Sequence, residues 1–132
     1  MNAKVINIQQ PKAEETGALV SKNQKRKLAI PTSNGIEVIA TDQIVYLKSS
    51  SNYTNVHLAC GRHMLVSKTL KRFEKVLKGR AFIRIHHSYM INIDFFEKTD
   101  NNRVFIQGIH LPISKERKKF LNATLRSNFI YL

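Results

Sequence analysis

The punctuation of its apolar residues constrains this chain more than any other feature. From Leu28 onward, branched and aromatic residues come in short runs closed by turn formers. "LAIPT" and "IEVIA" flank Ser33-Asn34-Gly35, "QIVYLKSS" and "YTNVHLA" flank Ser51-Asn52, and "GRHMLVS" follows Cys60-Gly61. Further on, "FEKTD" and "RVFIQ" flank Asn101-Asn102, and "IHLPIS" follows Gly108. Asn-Gly tolerates the positive φ angles of tight hairpin turns, so these junctions read as strand reversals. The spacing predicts about eight strands in a mainly antiparallel β domain.

Two segments depart from the period-2 rhythm. In "SKTLKRFEKVLKG", Leu70, Phe73, Val76 and Leu77 fall on one helical face, with Ser67 placed to cap the start and Gly79 to end the helix. In "SKERKKFLNATLRS", Ser114 is the candidate cap and Phe120, Leu121 and Leu125 form an apolar stripe. Two short amphipathic helices are therefore expected over part of the β core. Residues 1–27 mix Gln, Lys, Glu, Ser and Asn with isolated apolar residues and end in Lys25-Arg26-Lys27. They read as a flexible basic arm ahead of one domain, 28–132.

No apolar run approaches the ~20 residues needed to cross a bilayer. "MNAKVINIQQPKAEETG" lacks the uninterrupted apolar stretch of a signal peptide. The single cysteine, Cys60, has no internal disulfide partner, and a lone cysteine reads as a small buried hydrophobe in a reducing compartment. A cytoplasmic protein without a membrane partner is expected. Charge narrows the partner. Twenty-two Lys and Arg stand against nine Asp and Glu, a net +13. Residues 1–27 hold six basic and two acidic residues, which leaves sixteen and seven, a net +9, in the remainder. A folded domain so charged repels itself, and a polyanion relieves that repulsion. Nucleic acid is the first such partner and an acidic membrane surface the second.

Lys115, Arg117, Lys118 and Lys119 crowd the start of the second helix, opposed only by Glu116. Each cation at a helix N-terminus costs about 0.3–1 kcal/mol, so the arrangement suits a docked phosphate better than open solvent. Lys68, Lys71, Arg72, Lys75 and Lys78 on the first helix read instead as a solvated outer face. The turn Ser49 to Thr54 is dense in small hydrogen-bonding side chains. Asn contacts adenine bidentately, and Ser or Thr contacts phosphate or base.

"FIRIHHSYMIN", residues 82–92, holds two adjacent histidines. Neighbouring side chains of a strand point to opposite faces, so His86 and His87 do not reach one metal from an extended chain. No Cys-x-x-Cys or His-Glu-x-x-His spacing occurs, which argues against zinc. Ser88 lacks the glycine-rich elbow of a nucleophilic serine. Neither a cofactor nor an enzymatic activity is expected. His87 shares the parity of Ile83, Ile85, Tyr89, Ile91 and Ile93. Either it is packed in the core or the strand breaks at His86–Ser88 and turns it outward. The alternation leaves both open.

The order of these pieces, "SSSNYTNV", "LKRFEKVL", "FIRIHHSYMINIDFFEK", an Asn-rich turn and "LPISKERKKFL", resembles the LytTR DNA-binding domain of bacterial response regulators, the LytR/AgrA family of transcriptional regulators. The resemblance runs from about Ile30 to Leu125. It implies an elongated stack of mostly antiparallel β-sheets with one or two short helices, contacting DNA from loops between strands. Carried onto this chain, the contacting residues are Asn52 and Tyr53 in one loop, and Arg84, His86, His87 and Ser88 around a second. Lys115, Arg117 and Lys118 form the third. The resemblance also implies the broken strand, with His86 holding the loop and His87 facing the groove. His87 and Glu116 stand where the family often carries basic residues. The family usually places a receiver domain or membrane segment ahead of this module, and residues 1–27 are too short for either, so a stand-alone module is expected.

The expectation is thus a sequence-specific regulator of transcription bound to double-stranded DNA, on paired direct repeats as a homodimer, with no small-molecule ligand. An RNA or single-strand binder would need exposed aromatic platforms, a hydrolase would use His86, His87 and Ser88, and a protein-interaction module would meet an acidic partner. These are the rival readings.

Overall fold

The computed structural model describes residues 26–132. The expected flexible arm lies outside the described residues, apart from Arg26 and Lys27. Among the described residues there are ten strands and two helices. They are β1 (Lys27–Thr32), β2 (Gly35–Ala40), β3 (Ile44–Ser50), β4 (Tyr53–Leu58), β5 (His63–Val66) and α1 (Leu70–Val76). After these come β6 (Phe82–His86), β7 (Tyr89–Asn92), β8 (Phe96–Thr99), β9 (Arg103–Ile106), β10 (Ile109–Pro112) and α2 (Lys118–Asn128). Every strand pairing is antiparallel, as the turn spacing predicts.

Three sheets are stacked. The central one has the order β5-β4-β3-β7-β6, and β1-β2 and β10-β9-β8 form the others. A register shift between Ile44 and Tyr46 lets β3 send Ile44 and Leu47 to one side and Val45 to the other. On the first side, Ile44, Leu47, Val56, Val66 and Met90 pack with Ile30 and Ile39 of the β1-β2 hairpin and with Leu70, Phe73 and Leu77. On the second, Val45, Ile83, Ile85, Ile91 and Ile93 pack with Val104, Ile106 and Leu111 of the third sheet and with Leu121 and Leu125 of α2. Burial on both faces is why β7 reads Met90-Ile91 without alternation. Each such side chain stabilises the fold by about 1.5–3 kcal/mol.

Five local expectations are corrected. Thr69, not Ser67, caps α1 by accepting the Arg72 N–H at 3.2 Å. The cap sits directly before Leu70, and Ser67 lies too far back to reach the first turn. Val76 is 41% exposed, because it lies one residue, about 100° of helix rotation, before the buried Leu77. Phe120 is likewise 59% exposed beside buried Leu121 and Leu125, whose i,i+4 spacing alone defines the buried stripe. Ser114 makes no side-chain cap, and a single 3₁₀ turn, Lys115–Arg117, intervenes before α2. Cys60 is exposed in the turn between β4 and β5 rather than buried.

Candidate nucleic-acid interface

Antiparallel pairing of β3 with β7 places the β3–β4 turn, Ser51-Asn52, and the β6–β7 turn, His87-Ser88, at the same end of the central sheet. The Ser49 N–H donates to the Ser88 carbonyl at 2.8 Å and ties the two together. β6 is an edge strand, and an edge carries unpaired backbone groups that must be covered. Here the Ser114 N–H donates to the Ile85 carbonyl at 2.9 Å, which brings the Ser114–Lys118 segment to the same end. Residues far apart in sequence, Asn52, Tyr53, His86, His87, Ser88, Lys115, Arg117 and Lys118, therefore gather on one side of the fold.

The strand does break. β6 stops at His86, a register shift after Arg84 sets His86 opposite Tyr89, and His87 is exposed. Ile83 and Ile85 keep the buried parity up to that point. Arg84 holds the break open: its Nε donates to the His86 carbonyl at 3.1 Å and its Nη2 donates to the His87 carbonyl. The Ser88 N–H donates to Nδ1 of His86 at 3.1 Å. That nitrogen must therefore carry its lone pair, and a neutral imidazole keeps its proton on Nε2. Burial, the neighbouring His87 and the Arg84 guanidinium hold the His86 pKa below the ordinary imidazole value. The rings of His86 and His87 lie 4.3 Å apart.

Arg84 is itself fixed. Its side chain is only 14% exposed, and its Nη1 donates to Oε1 of Glu74 at 2.9 Å. The other oxygen of Glu74 pairs with Arg117 at 3.7 Å. One carboxylate on α1 thus links two of the converging segments. Sequence reasoning passed over Glu74. Its signal was there: it is the one acid in α1, among Lys71, Arg72 and Lys75.

The other two segments are less enclosed. Ser51 adopts a left-handed φ of 57°, and Asn52 and Tyr53 are exposed. Lys115 is exposed, Arg117 and Lys118 are half-buried, and no side chain caps the first N–H groups of α2. On α1 and just beside it, Lys68, Lys71, Arg72, Lys75 and Lys78 all face solvent. Elsewhere on the central sheet the His57 ring stacks on Tyr46 at 4.2 Å and on His63 at 5.3 Å. Among the described residues no group of three or more His, Cys, Asp or Glu is placed to hold a metal, and no helix is long and apolar enough to cross a membrane.

Comparison with known proteins identifies the family. The sequence model of the LytTr DNA-binding domain matches residues 34–126. The sensory transduction protein LytT of Bacillus subtilis is 29% identical over 108 residues, which cover 74% of this chain and 44% of that protein. The CO-responsive transcriptional regulator RcoM of Rhodospirillum rubrum is 26% identical over 107 residues, covering 76% of this chain and 45% of that protein. The chain thus spans less than half the length of these curated relatives. Among solved structures, a LytTr DNA-binding domain of a response regulator from Bacillus cereus superposes with a TM-score of 0.64 at 20% identity, over 79% of this chain and 98% of that one.

Proposed function

The chain belongs to the LytTr DNA-binding domain family, and from that premise we propose that it regulates transcription by gripping a specific duplex with three segments at one end of its central sheet. The observation that carries the reading is the convergence itself. Two backbone hydrogen bonds, Ser49 to Ser88 and Ser114 to Ile85, gather a polar turn, a histidine turn and a lysine-rich helix start into one row.

The roles divide by chemistry. Asn52 and His87 are exposed, carry directional hydrogen-bonding groups and sit on turns, so they are assigned to base edges, with Tyr53 and Ser88 beside them. Lys115 and Lys118 attract phosphate, and the dipole at the start of α2 favours the same anion. Arg117 approaches the same phosphates while tethered to Glu74. Arg84 and His86 act from beneath by fixing the turn that presents His87. Paired direct repeats, each meeting one copy of the chain, suit a domain that reads with a row of turns instead of a two-fold helix pair.

Selection of duplexes from a random library by the full chain, at about 0.15 M salt, tests the reading. An enriched sequence motif is the expected result. Retention of duplexes without any sequence preference would overturn it and leave a non-specific basic surface in its place.

A further inference from the structure

We propose that a fourth segment, the β8–β9 turn at Asp100–Arg103, also meets the duplex, with Asn101 and Asn102 contacting its phosphate backbone beside the three segments above. The inference rests on the DNA reading and extends it. The Ile113 N–H donates to the Asn102 carbonyl at 3.0 Å, and the next N–H along, that of Ser114, is the one bonded to Ile85. The row therefore does not stop at Ser114: the 51–52 turn, the 87–88 turn, Ser114 and the 101–102 turn follow one another across adjoining segments.

The turn is built to hold its shape with its tip unspent. Oδ1 of Asp100 accepts the N–H groups of Asn102 and Arg103 at 2.9 and 2.8 Å. Oδ2 accepts from Nε and Nη2 of Arg103 at 3.2 and 2.8 Å. These donors hold the Asp100 carboxyl below the usual carboxylate range, the Asn102 N–H first among them. Its charge is thus answered inside the turn and does not face an incoming polyanion. The Arg103 guanidinium, paired with Asp100, lies over the Phe105 ring at 5.1 Å, and Lys98 covers the same ring at 4.8 Å, so Lys98 gives the flank of the turn its net positive charge. Asn101 and Asn102 are exposed, and their side chains have no hydrogen-bond partner among the described residues.

Reach decides which part of DNA they meet. Adjoining strands lie about 4.8 Å apart, so a row from β4 to Asn102 spans roughly 24 Å. That is about twice the ~12 Å width of the major groove. A turn at one end of such a row lies over the backbone flanking the groove that the middle of the row enters. Carboxamide N–H groups there donate to phosphate oxygens, which positions the duplex and carries no sequence information.

The test uses the full chain and a duplex it selects from a random library. Asn101→Ala/Asn102→Ala is compared with the isosteric Asn101→Asp/Asn102→Asp. Neither position has a positive φ, so both pairs of substitutions suit the backbone. The alanine pair is expected to bind about three- to tenfold more weakly, equally on selected and scrambled duplexes. The aspartate pair loses more, most of all at low salt. Phosphate ethylation that blocks the wild type at the flank of the site ceases to matter for the alanine pair. Both double variants binding as the wild type does, with an unchanged ethylation pattern, would overturn the fourth contact and leave the DNA reading standing. A wild type that selects no duplex removes that reading and this inference with it.

Discussion

The turn at His87-Ser88 and the segment Ser114–Lys118 are neighbours built on different principles. Four hydrogen bonds hold the first, from Arg84 to two carbonyls, from Ser88 to His86 and from Ser49 to Ser88. Its tip carries only the imidazole of His87. The second is cationic, with Lys115, Arg117 and Lys118 in a row, and is tied down by the Ser114 N–H and by the long Arg117–Glu74 pair. Reading a base edge demands a donor held within a few tenths of an ångström, whereas attraction to a phosphate falls off slowly and tolerates slack. The braced turn is therefore the part suited to specificity, and the charged segment the part suited to affinity.

The two regions share a joint, and breaking it should damage both. The Ile85 carbonyl anchors Ser114 while its side chain is fully buried in the core beneath the turn. Ile85→Ala is expected to cost about 2–5 kcal/mol of stability, read by urea or thermal unfolding, and to weaken binding to every duplex. A loss under about 1 kcal/mol would mean that the core does not support the joint as described.

His87→Ala then probes the braced turn alone. It removes an exposed ring that packs no core residue, so the melting temperature should hold. Discrimination between the selected duplex and a scrambled one should fall by about 1–3 kcal/mol if the ring reads a base. Equal losses on both duplexes would move His87 to the phosphate class and erase the contrast between the regions.

The same contrast marks what was legible in the sequence. Turn formers placed the strand reversals, and alternation placed Ile83, Ile85, Ile91 and Ile93 on the core face, because both are local properties of a pleated chain. The break at His86–Ser88 was not readable from alternation, which left a buried His87 equally open; only the family resemblance implied it. The device that makes the break is non-local: Arg84 turns to carbonyls two and three residues on, and a glutamate ten residues back steadies it. The resemblance put Arg84 among the contacting residues, and the structure adds its bonds to the His86 and His87 carbonyls and to Glu74, which no local pattern could show. The helix ends were misread for a related reason, since Ser67 and Ser114 satisfy the composition of a cap, while the Thr69 side chain caps α1 and the carbonyls of Ser114 and Lys115 accept the Arg117 and Lys118 N–H groups that lead into α2.

Glu74 tests whether the regions are coupled beyond that joint. Glu74→Gln leaves Arg84 and Arg117 without their shared charge; the pair is partly exposed, so about 1 kcal/mol of stability is at stake. The expected signature is a drop in discrimination greater than the drop in affinity on scrambled DNA. A uniform drop would place Glu74 with the charged segment only. pH tests the brace from within. The His86 pKa lies below its unfolded value, so the folded turn binds fewer protons than the unfolded chain. Stability rises with pH through the window below about 6.5 and is lost as pH falls toward the folded pKa. Histidine NMR titration of the full chain should place His86 below that value, and His86→Gln should remove its share of the acid sensitivity. A His86 that titrates at or above about 6.5 would mean that the Ser88 N–H does not hold Nδ1.

Lys118 gives the smallest effect and the sharpest separation of kinds. It opens α2, is half-buried and has no acidic partner among the described residues. If it neutralises one phosphate, Lys118→Ala removes one released counterion, and the slope of log K against log salt becomes shallower by about 0.9. The loss is the same on selected and scrambled duplexes, so the ratio between them does not change. A shift in that ratio would show that the charged segment also reads sequence, and the division of labour between the two regions would then have to be redrawn with α2 inside the groove.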